Sequence, residues 1–494
     1  MTVYLDSSFD VAAVSELARR ERSAFKPIYR MNKWWARRSS SEFRAILLGL
    51  HLPSGAELLS EFYANRQQKN PELQKSIILD PFMGGGTTIV EALRMGYKAV
   101  GVDLNPLSWF IVKTETTQVD LEALRQAFER VQRKVVPVVS SIYATTCSCC
   151  GKEAEIVHAF WVKLAPCTNP GCDHQVPLFR NYIIGKRRGT VSISYREMEC
   201  QHCSQPFDLE LTKATLTHNG PAQSDEQSWI YWDGRAPIRC PHCHGLVEPP
   251  LPQDRLSVKK VALRALLCPD CWTVFSYRGQ VPHEVECPNC SLLFDPHKGV
   301  TRRGEYACPA GHKSQIVDAA KMHPEGKPLG FRMYAIEGYC PHCAEKTVRP
   351  NSRSVPGQAY LNAMTPPASC PDCQATVHRF YKAPDRQDLQ RYEDIAEEWD
   401  SSKEDAPWPK TSIHDYEKTN RLVIHNYRYW HQLFNPRQLF TLTTILKAIL
   451  AEPCQQLKEA LLAAFLGTLE HHNMLNIYYV PYAQSAGAFG RHDF

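Results

Sequence analysis

No stretch of this sequence approaches the roughly 18 uninterrupted apolar residues that a membrane span requires. Near the N-terminus, Asp6 and Asp10 stand where a secretory leader would place its basic and apolar regions. The sequence therefore predicts a cytoplasmic protein with no membrane association. Charge of one sign is scarce too: 57 Lys and Arg against 52 Asp and Glu leave a net +5, which suits a nucleic-acid partner without specifying one. At 43% hydrophobic and 22% charged residues the composition is that of an ordinary globular chain, and 494 residues allow two or three domains with a proper core.

What the sequence does contain is concentrated in two places. The first is the run Asp80-Pro81-Phe82-Met83-Gly84-Gly85-Gly86-Thr87-Thr88, which follows the apolar Ile77-Ile78-Leu79. A helix is expected from Thr88 to Met95 with Gly96 as its C-cap, then a strand from Ala99 to Val102 ending at Asp103. Strand, glycine turn, helix, and a second strand closed by an acid form the layout of a nucleotide-type pocket. Glycines let the backbone approach a ligand, and the terminal acid can accept both hydroxyls of a ribose.

The segment from Leu79 to Ser108 resembles motif I and the following strand of DNA amino-methyltransferases, which use S-adenosylmethionine to methylate adenine N6 or cytosine N4. Lys26 to Ser40 resembles the segment such enzymes place before motif I. The nearer resemblance is to large prokaryotic adenine-specific methylases with a cysteine-rich insertion, often linked to phage defence. It covers roughly residues 20 to 120, and Phe434 to Leu446 more loosely. It implies an α/β class with a Rossmann-like S-adenosylmethionine-dependent domain, interrupted by zinc ribbons and followed by a helical segment. It further implies that Asp80, Pro81, Phe82, Gly84, Gly86 and Thr87 shape the cofactor turn, that Asp103 binds ribose, and that Asn105-Pro106 supports the loop beneath the adenine. Lys26, Pro27, Trp34 and Trp35 would close over the methionine part, with Arg37 and Arg38 available to the cofactor carboxylate or DNA phosphate.

The second concentration is cysteine, with nineteen in all. Sixteen form close pairs: Cys147/Cys150, Cys167/Cys172, Cys200/Cys203, Cys240/Cys243, Cys268/Cys271, Cys287/Cys290, Cys340/Cys343 and Cys370/Cys373, with Cys308 and His312 as a mixed ninth. Two tight turns of this kind supply the tetrahedral thiolate shell zinc prefers, and in a reducing compartment metal ligation is expected over disulfides. Three to five zinc ions follow. Consecutive pairing joins Cys147/Cys150 to Cys167/Cys172, Cys200/Cys203 to Cys240/Cys243, and Cys340/Cys343 to Cys370/Cys373. Between them, Cys287/Cys290 with Cys308/His312 is favoured, leaving Cys268/Cys271 without a mate; the competing choice joins Cys268/Cys271 to Cys287/Cys290 and strands Cys308. His283 or His297 could complete an odd site. Cys149 and Cys454 are read as spares, the latter as a small buried apolar residue.

These anchors divide the chain into residues 1–144 with helices and the cofactor half, 145–380 with the zinc ribbons, and 381–494 with a linker and helices. Helical periodicity covers residues 9–20, 41–50 and 121–135. The insertion reads as short strands and turns, its ribbons too small to bury a core alone, so that metal ligation supplies most of their folding free energy. Glu397 to Asp405 reads as a solvated linker. Asn435-Pro436-Arg437-Gln438 predicts a capped helix start, and Leu457, Leu461, Phe465 and Leu469 a second helix that His471 and His472 end. Arg180, Lys186, Arg187, Arg188 and Arg196, interleaved with Tyr182 and Tyr195, predict a strand that lies along phosphates of duplex DNA.

One element that the resemblance requires is missing. These enzymes hold the target base with an Asp/Asn/Ser-Pro-Pro-aromatic loop, yet the two Pro-Pro pairs here, Pro249-Pro250 and Pro366-Pro367, have neither the acid nor the aromatic. No catalytic residue is therefore assigned. The expectation is the front, N-terminal portion of a longer methyltransferase, whether by truncation, a frameshift or a split gene, with a second polypeptide carrying the rest or other defence proteins as partners. An RNA base methyltransferase and a non-catalytic zinc-ribbon scaffold are the other two readings.

Overall fold

The first helices of the chain are α1 (Tyr4–Ser7), α2 (Val11–Glu21), α3 (Ser40–Gly49) and α4 (Leu58–Tyr63). The computed structural model describes residues 4–7, 9–21, 27–30, 32, 34, 36–63, 73–211, 216–217, 220–221, 229–232, 238–247, 256–323, 326–345, 379–417, 419–480 and 484–486. The chain forms two units, one of residues 1–136, 442–473 and 487–493, the other of residues 137–441, 474–486 and 494. Among the described residues no helix is long and apolar enough to cross a membrane.

In the first unit, α1 to α4 bury Tyr4, Val14, Leu17, Ala45, Leu48, Leu58 and Phe62 against one another. The start of α3 has no cap from its own Ser39 side chain. Instead the Glu21 carboxylate accepts from the backbone N–H of Ser40 and Ser41 and from the hydroxyls of Ser39, Ser40 and Ser41. Burial works against this charge, but the serine donors outweigh it and hold Glu21 down to about 2. Glu21 is therefore expected to stabilise this unit above the ordinary carboxylate pKa, with the contribution fading as pH falls toward 2. Glu21→Gln should cost about 1 kcal/mol in denaturant unfolding at pH 7, the typical worth of a cap, and the gap to the parent should close in acid.

The expected strand, helix, strand unit is present: β1 (Ile77–Asp80), α5 (Thr87–Met95) and β2 (Lys98–Gly101), with the strands parallel and Leu79 opposite Val100. Gly96 ends α5 in the left-handed conformation at φ 99°, as predicted. α6 (Pro106–Thr116) and α7 (Leu121–Ile142) follow, α7 running seven residues past its expected end. One sheet face is covered, Ile78 and Ala99 packing with Leu47, Leu73, Ala92 and Tyr97. On the other, Ile77, Leu79 and Val100 stay exposed, Leu79 at 63%. Parallel sheets are normally buried on both faces, so this two-stranded sheet presents a surface built for cover. Among the described residues it has no third strand.

The second unit contains strands far longer than its composition suggests. β4 (Glu153–Pro166) pairs along its length with Phe331–Tyr339, itself flanked by Arg379–Lys382, while β3 (Ala144–Thr146) and β5 (Gln175–Pro177) both pair with β4. β6 (Ile183–Glu199) and β7 (Pro206–Leu211) join Trp229–Trp232, Leu256–Leu267 and Val274–Arg278 in a second five-stranded sheet. Phe160, Val162, Phe179, Tyr182, Ile184, Leu267 and Tyr381 make a shared apolar core. The ribbons are therefore extensions of a packed scaffold rather than isolated knuckles.

The expected linker at Glu397 to Asp405 is a correction: its residues to Ser402 belong to the helix Arg386–Ser402, and Lys403–Asp405 forms a 3-10 turn. Asp385 and Asp388 close a capping box at the helix start, with Lys382 donating to Asp388 at 2.8 Å. A window scored for charge alone does not see a nucleus that strong. The Asn435 capping box is as predicted, Gln438 N–H donating to Asn435 Oδ1 and Asn435 N–H to Gln438 Oε1 ahead of the helix Pro436–Leu450. Gln455–Leu469 is the second helix, and Cys454, expected to be buried, is exposed as its N-cap residue.

Candidate cofactor turn and metal centres

The glycine turn is held from three sides. Asp103 Oδ2 accepts the N–H of Gly84 and Oδ1 that of Asn105, both at 2.8 Å, and these amides, with Asn105 the stronger, keep the carboxyl below its ordinary range. An ionised carboxylate has about four lone-pair positions. The two amides fill two of them, and the Ser108 hydroxyl also bears on the carboxyl. Ser108 Oγ donates to the Gly84 carbonyl at 2.5 Å, and Asn105 caps α6 by accepting from Leu107 N–H. Asp80 accepts from the N–H of Phe82, whose ring is 88% exposed, and Pro81 is exposed beside it.

Gly86 sits at φ 76°, and a Cβ there would lie 2.4 Å from Val112 Cγ2, so both conformation and space require glycine. Trp34 lies against the turn: a Cβ on Gly85 would be 3.0 Å from its indole. Thr87 is buried with its hydroxyl donating to the Arg38 carbonyl, while the Arg38 side chain is exposed. Lys26 and Trp35 lie outside the described residues, as does the side chain of Pro27.

Arg37 departs from its expected role. Its guanidinium is 8% exposed and forms a two-pronged pair with Glu115, Nη2 to Oε1 at 2.8 Å and Nη1 to Oε2 at 3.3 Å. Nη1 also donates to the Gly85 carbonyl at 2.6 Å, and the guanidinium lies 4.8 Å from the Tyr29 ring centre. An arginine spent in this way inside the fold is a brace for the glycine turn, not a free phosphate contact. Nothing in the local sequence marks Glu115, 78 residues away, as its partner.

Among the described residues the cysteines gather into four tetrads: Cys147, Cys150, Cys340 and Cys343; Cys167, Cys172, Cys308 and His312; Cys200, Cys203, Cys240 and Cys243; Cys268, Cys271, Cys287 and Cys290. Sulfur separations such as Cys150 to Cys340, Cys203 to Cys240 and Cys271 to Cys287 are 3.6 to 3.7 Å. A tetrahedron of about 2.3 Å zinc–sulfur bonds has edges of about 3.8 Å, so the clusters fit zinc. Five of the turns share one backbone device: the residue after the second cysteine has positive φ, at Gly151, Ser204, His244, Trp272 and Ser291. In four of them its N–H returns to the first cysteine's carbonyl. Amides also aim at sulfur, as Cys149, His202, His242 and Asn289 N–H do, each at 3.4 Å. The His202 amide leads in holding the Cys200 thiol down to about 6, while for Cys203 of the same tetrad the pull of the Gln205 amide is outweighed by burial and the neighbouring thiols, which push it up to about 12, so the crowded thiols share their protons unequally.

Three expected pairings are corrected. Cys147/Cys150 joins Cys340/Cys343 instead of Cys167/Cys172, because β4 and Phe331–Tyr339 run antiparallel with Glu155 opposite Tyr339. Cys308/His312 joins Cys167/Cys172 rather than Cys287/Cys290, which takes Cys268/Cys271, the competing choice. Cys370 and Cys373 lie outside the described residues, and Cys340/Cys343 has its mates without them. His174, passed over in the sequence, has Nδ1 3.2 Å from Cys172 Sγ; its place two residues beyond that cysteine was the available signal.

Arg180 is exposed at the base of the second sheet, and Lys186 lies opposite Arg264 across β6 and Leu256–Leu267. The side chains of Arg187, Arg188 and Arg196 are outside the described part.

Residues 67–108 match the model of a DNA methylase family, and residues 8–79 match a protein family of unknown function, DUF1156. A type II methyltransferase, M.MvaI from Kocuria varians, is 38% identical over 79 residues, 16% of this chain and 17% of that protein. Another, M.MjaII from Methanocaldococcus jannaschii, is 38% identical over 50 residues, 10% of this chain and 9% of that protein. The chain thus matches less than a fifth of the length of either relative. No solved structure matches. The resemblance to DNA amino-methyltransferases therefore stands where the motif residues placed it, on the turn and its flanking strands.

Proposed function

We propose that this chain supplies the cofactor-binding part of an S-adenosylmethionine-dependent DNA methyltransferase acting on a base exocyclic amine, adenine N6 by preference, in restriction or phage defence. The observation that carries the reading is the Asp103 carboxylate gripping the Gly84 amide at the open end of β1–α5–β2, within the stretch that matches DNA methylases. In this reading the Asp103 carboxylate takes the ribose diol, and the exposed Phe82 covers the adenine. Trp34 borders the methionine end. When bound, S-adenosylmethionine supplies a methyl group on a sulfonium, already a strong leaving group, so the residues here bind and orient rather than exchange protons.

The uncovered face of β1 and β2 supports a further part of the proposal: more strands and helices, with the base-holding loop, are contributed by a second polypeptide. Duplex DNA is the proposed substrate. Lys186 facing Arg264 is a like-charge cross-strand pair, an arrangement that costs stability unless an anion lies across it.

The test is calorimetric titration of S-adenosylmethionine into the assembled protein. Asp103→Ala should weaken binding about 10- to 100-fold, the worth of a charged hydrogen-bonding pair, with Asp103→Asn between. Equal uptake without the carboxylate would sink the proposal.

A further inference from the structure

The turn from Asp295 to Lys298 and the loop from Val281 to His283 flank the hairpin of Val285–Glu286 and Leu293–Phe294 at the end away from Cys287 and Cys290, and they bring together three groups that the thiolate sites do not use. His283 Nδ1 lies 3.1 Å from Asp295 Oδ2, and one ligand atom each from His283, Asp295 and His297 falls within 4.8 Å of the others. We propose that these three form a separate divalent-metal site of two imidazoles and one carboxylate, with a further position open to water or an anionic oxygen.

The orientation of His297 carries the argument. Its Nε2 is 3.0 Å from the Val281 carbonyl, a partner that can only accept, so Nε2 carries the proton and Nδ1 keeps its lone pair. That outward hydrogen bond is the second-shell device which fixes a metal-binding histidine in the ligating tautomer. The backbone is equally set. Asp295 Oδ1 accepts from His297 N–H at 3.0 Å, Tyr182 N–H donates to the Pro296 carbonyl at 2.8 Å, and Val281 is buried with Leu266, Phe275 and Val285. Nitrogen and oxygen bonded to zinc at about 2.1 Å in a tetrahedron stand about 3.4 Å apart, close to the His283–Asp295 separation.

Two groups now compete for the carboxylate, the Nδ1–H of His283 and the Lys298 ammonium at 3.4 Å. Both side chains are more than four-fifths exposed and can yield: Lys298 swings into water, and His283 moves its proton to Nε2 as Nδ1 turns to the ion. Nitrogen and oxygen donors select borderline ions such as Zn²⁺, Co²⁺ or Ni²⁺, and three donors on an exposed turn make the site exchangeable where the thiolate sites are not.

The experiment uses the full untagged chain with its thiolate clusters zinc-loaded and loosely held metal dialysed away, then titrated with Co²⁺. One added equivalent is expected, with weak visible d–d absorption and no near-ultraviolet thiolate charge transfer. His283→Ala, too exposed to disturb packing, should weaken that uptake on the order of 10-fold or more while elemental zinc per chain stays constant. His297→Ala should do the same. The proposal is overturned if no cobalt binds, if all bound cobalt shows thiolate charge transfer, or if His283→Ala leaves uptake unchanged.

Discussion

Cys147→Ser and Cys340→Ser are each expected to lower the zinc content of the chain by one ion, and the double variant by one ion rather than two. The two residues are 193 positions apart, yet both belong to the tetrad whose Cys150 and Cys340 sulfurs stand 3.6 Å apart. Had ribbons closed between neighbouring turns, the double variant would empty two sites. The energetic consequence is large as well, since structural zinc contributes roughly 10 kcal/mol or more of apparent binding free energy to the fold that holds it. Here Ala154 and Phe380 pack directly on the cysteines, so losing the ion removes the apolar floor of the sheet at Phe331–Tyr339. Elemental analysis gives the ion count, and amide exchange in β4 and Phe331–Tyr339 should quicken in both single variants alike. Separate effects in the two strands would contradict the pairing.

The same contrast shows where sequence reasoning reached and where it stopped. β1, α5, Gly96 and β2 were legible because everything that specifies them lies within about thirty residues: an apolar run, a glycine turn, a helical stripe and a left-handed cap. The Asn435 capping box was legible for the same reason. Ligand identity was readable, since a cysteine pair on a tight turn needs no distant partner to be recognised. Pairing was legible only where consecutive turns close on one another, as Cys200/Cys203 with Cys240/Cys243 do; the two outer tetrads are decided by strand registers such as Glu155 with Tyr339, and they enclose the two inner ones instead of following in sequence. Glu21 capping α3 and Arg37 bracing the turn were hidden likewise. Each is a charged residue whose role is fixed by groups on another element, and composition assigns such residues to the surface.

Arg37→Ala is expected to cost the first unit about 3 to 5 kcal/mol, the usual penalty for leaving one member of a buried ion pair without the other. Glu115 is fully buried at its side chain, and burial already raises its pKa against the opposing pull of Arg37. Removing the guanidinium leaves only the raising influence. A carboxyl whose folded pKa stands above its unfolded value destabilises the fold increasingly as pH rises past the unfolded pKa, so the variant should be weaker at pH 8 than at pH 5. Denaturant unfolding at both values measures the difference, and Arg37→Ala with Glu115→Leu should recover much of the loss, since an apolar pair leaves no charge stranded. The same variant reports on function. Arg37 holds the Gly85 carbonyl at 2.6 Å, so the double variant can regain stability while S-adenosylmethionine affinity stays low. A double variant that regains both would mean the turn keeps its shape without the brace, and the role of Arg37 would be packing alone.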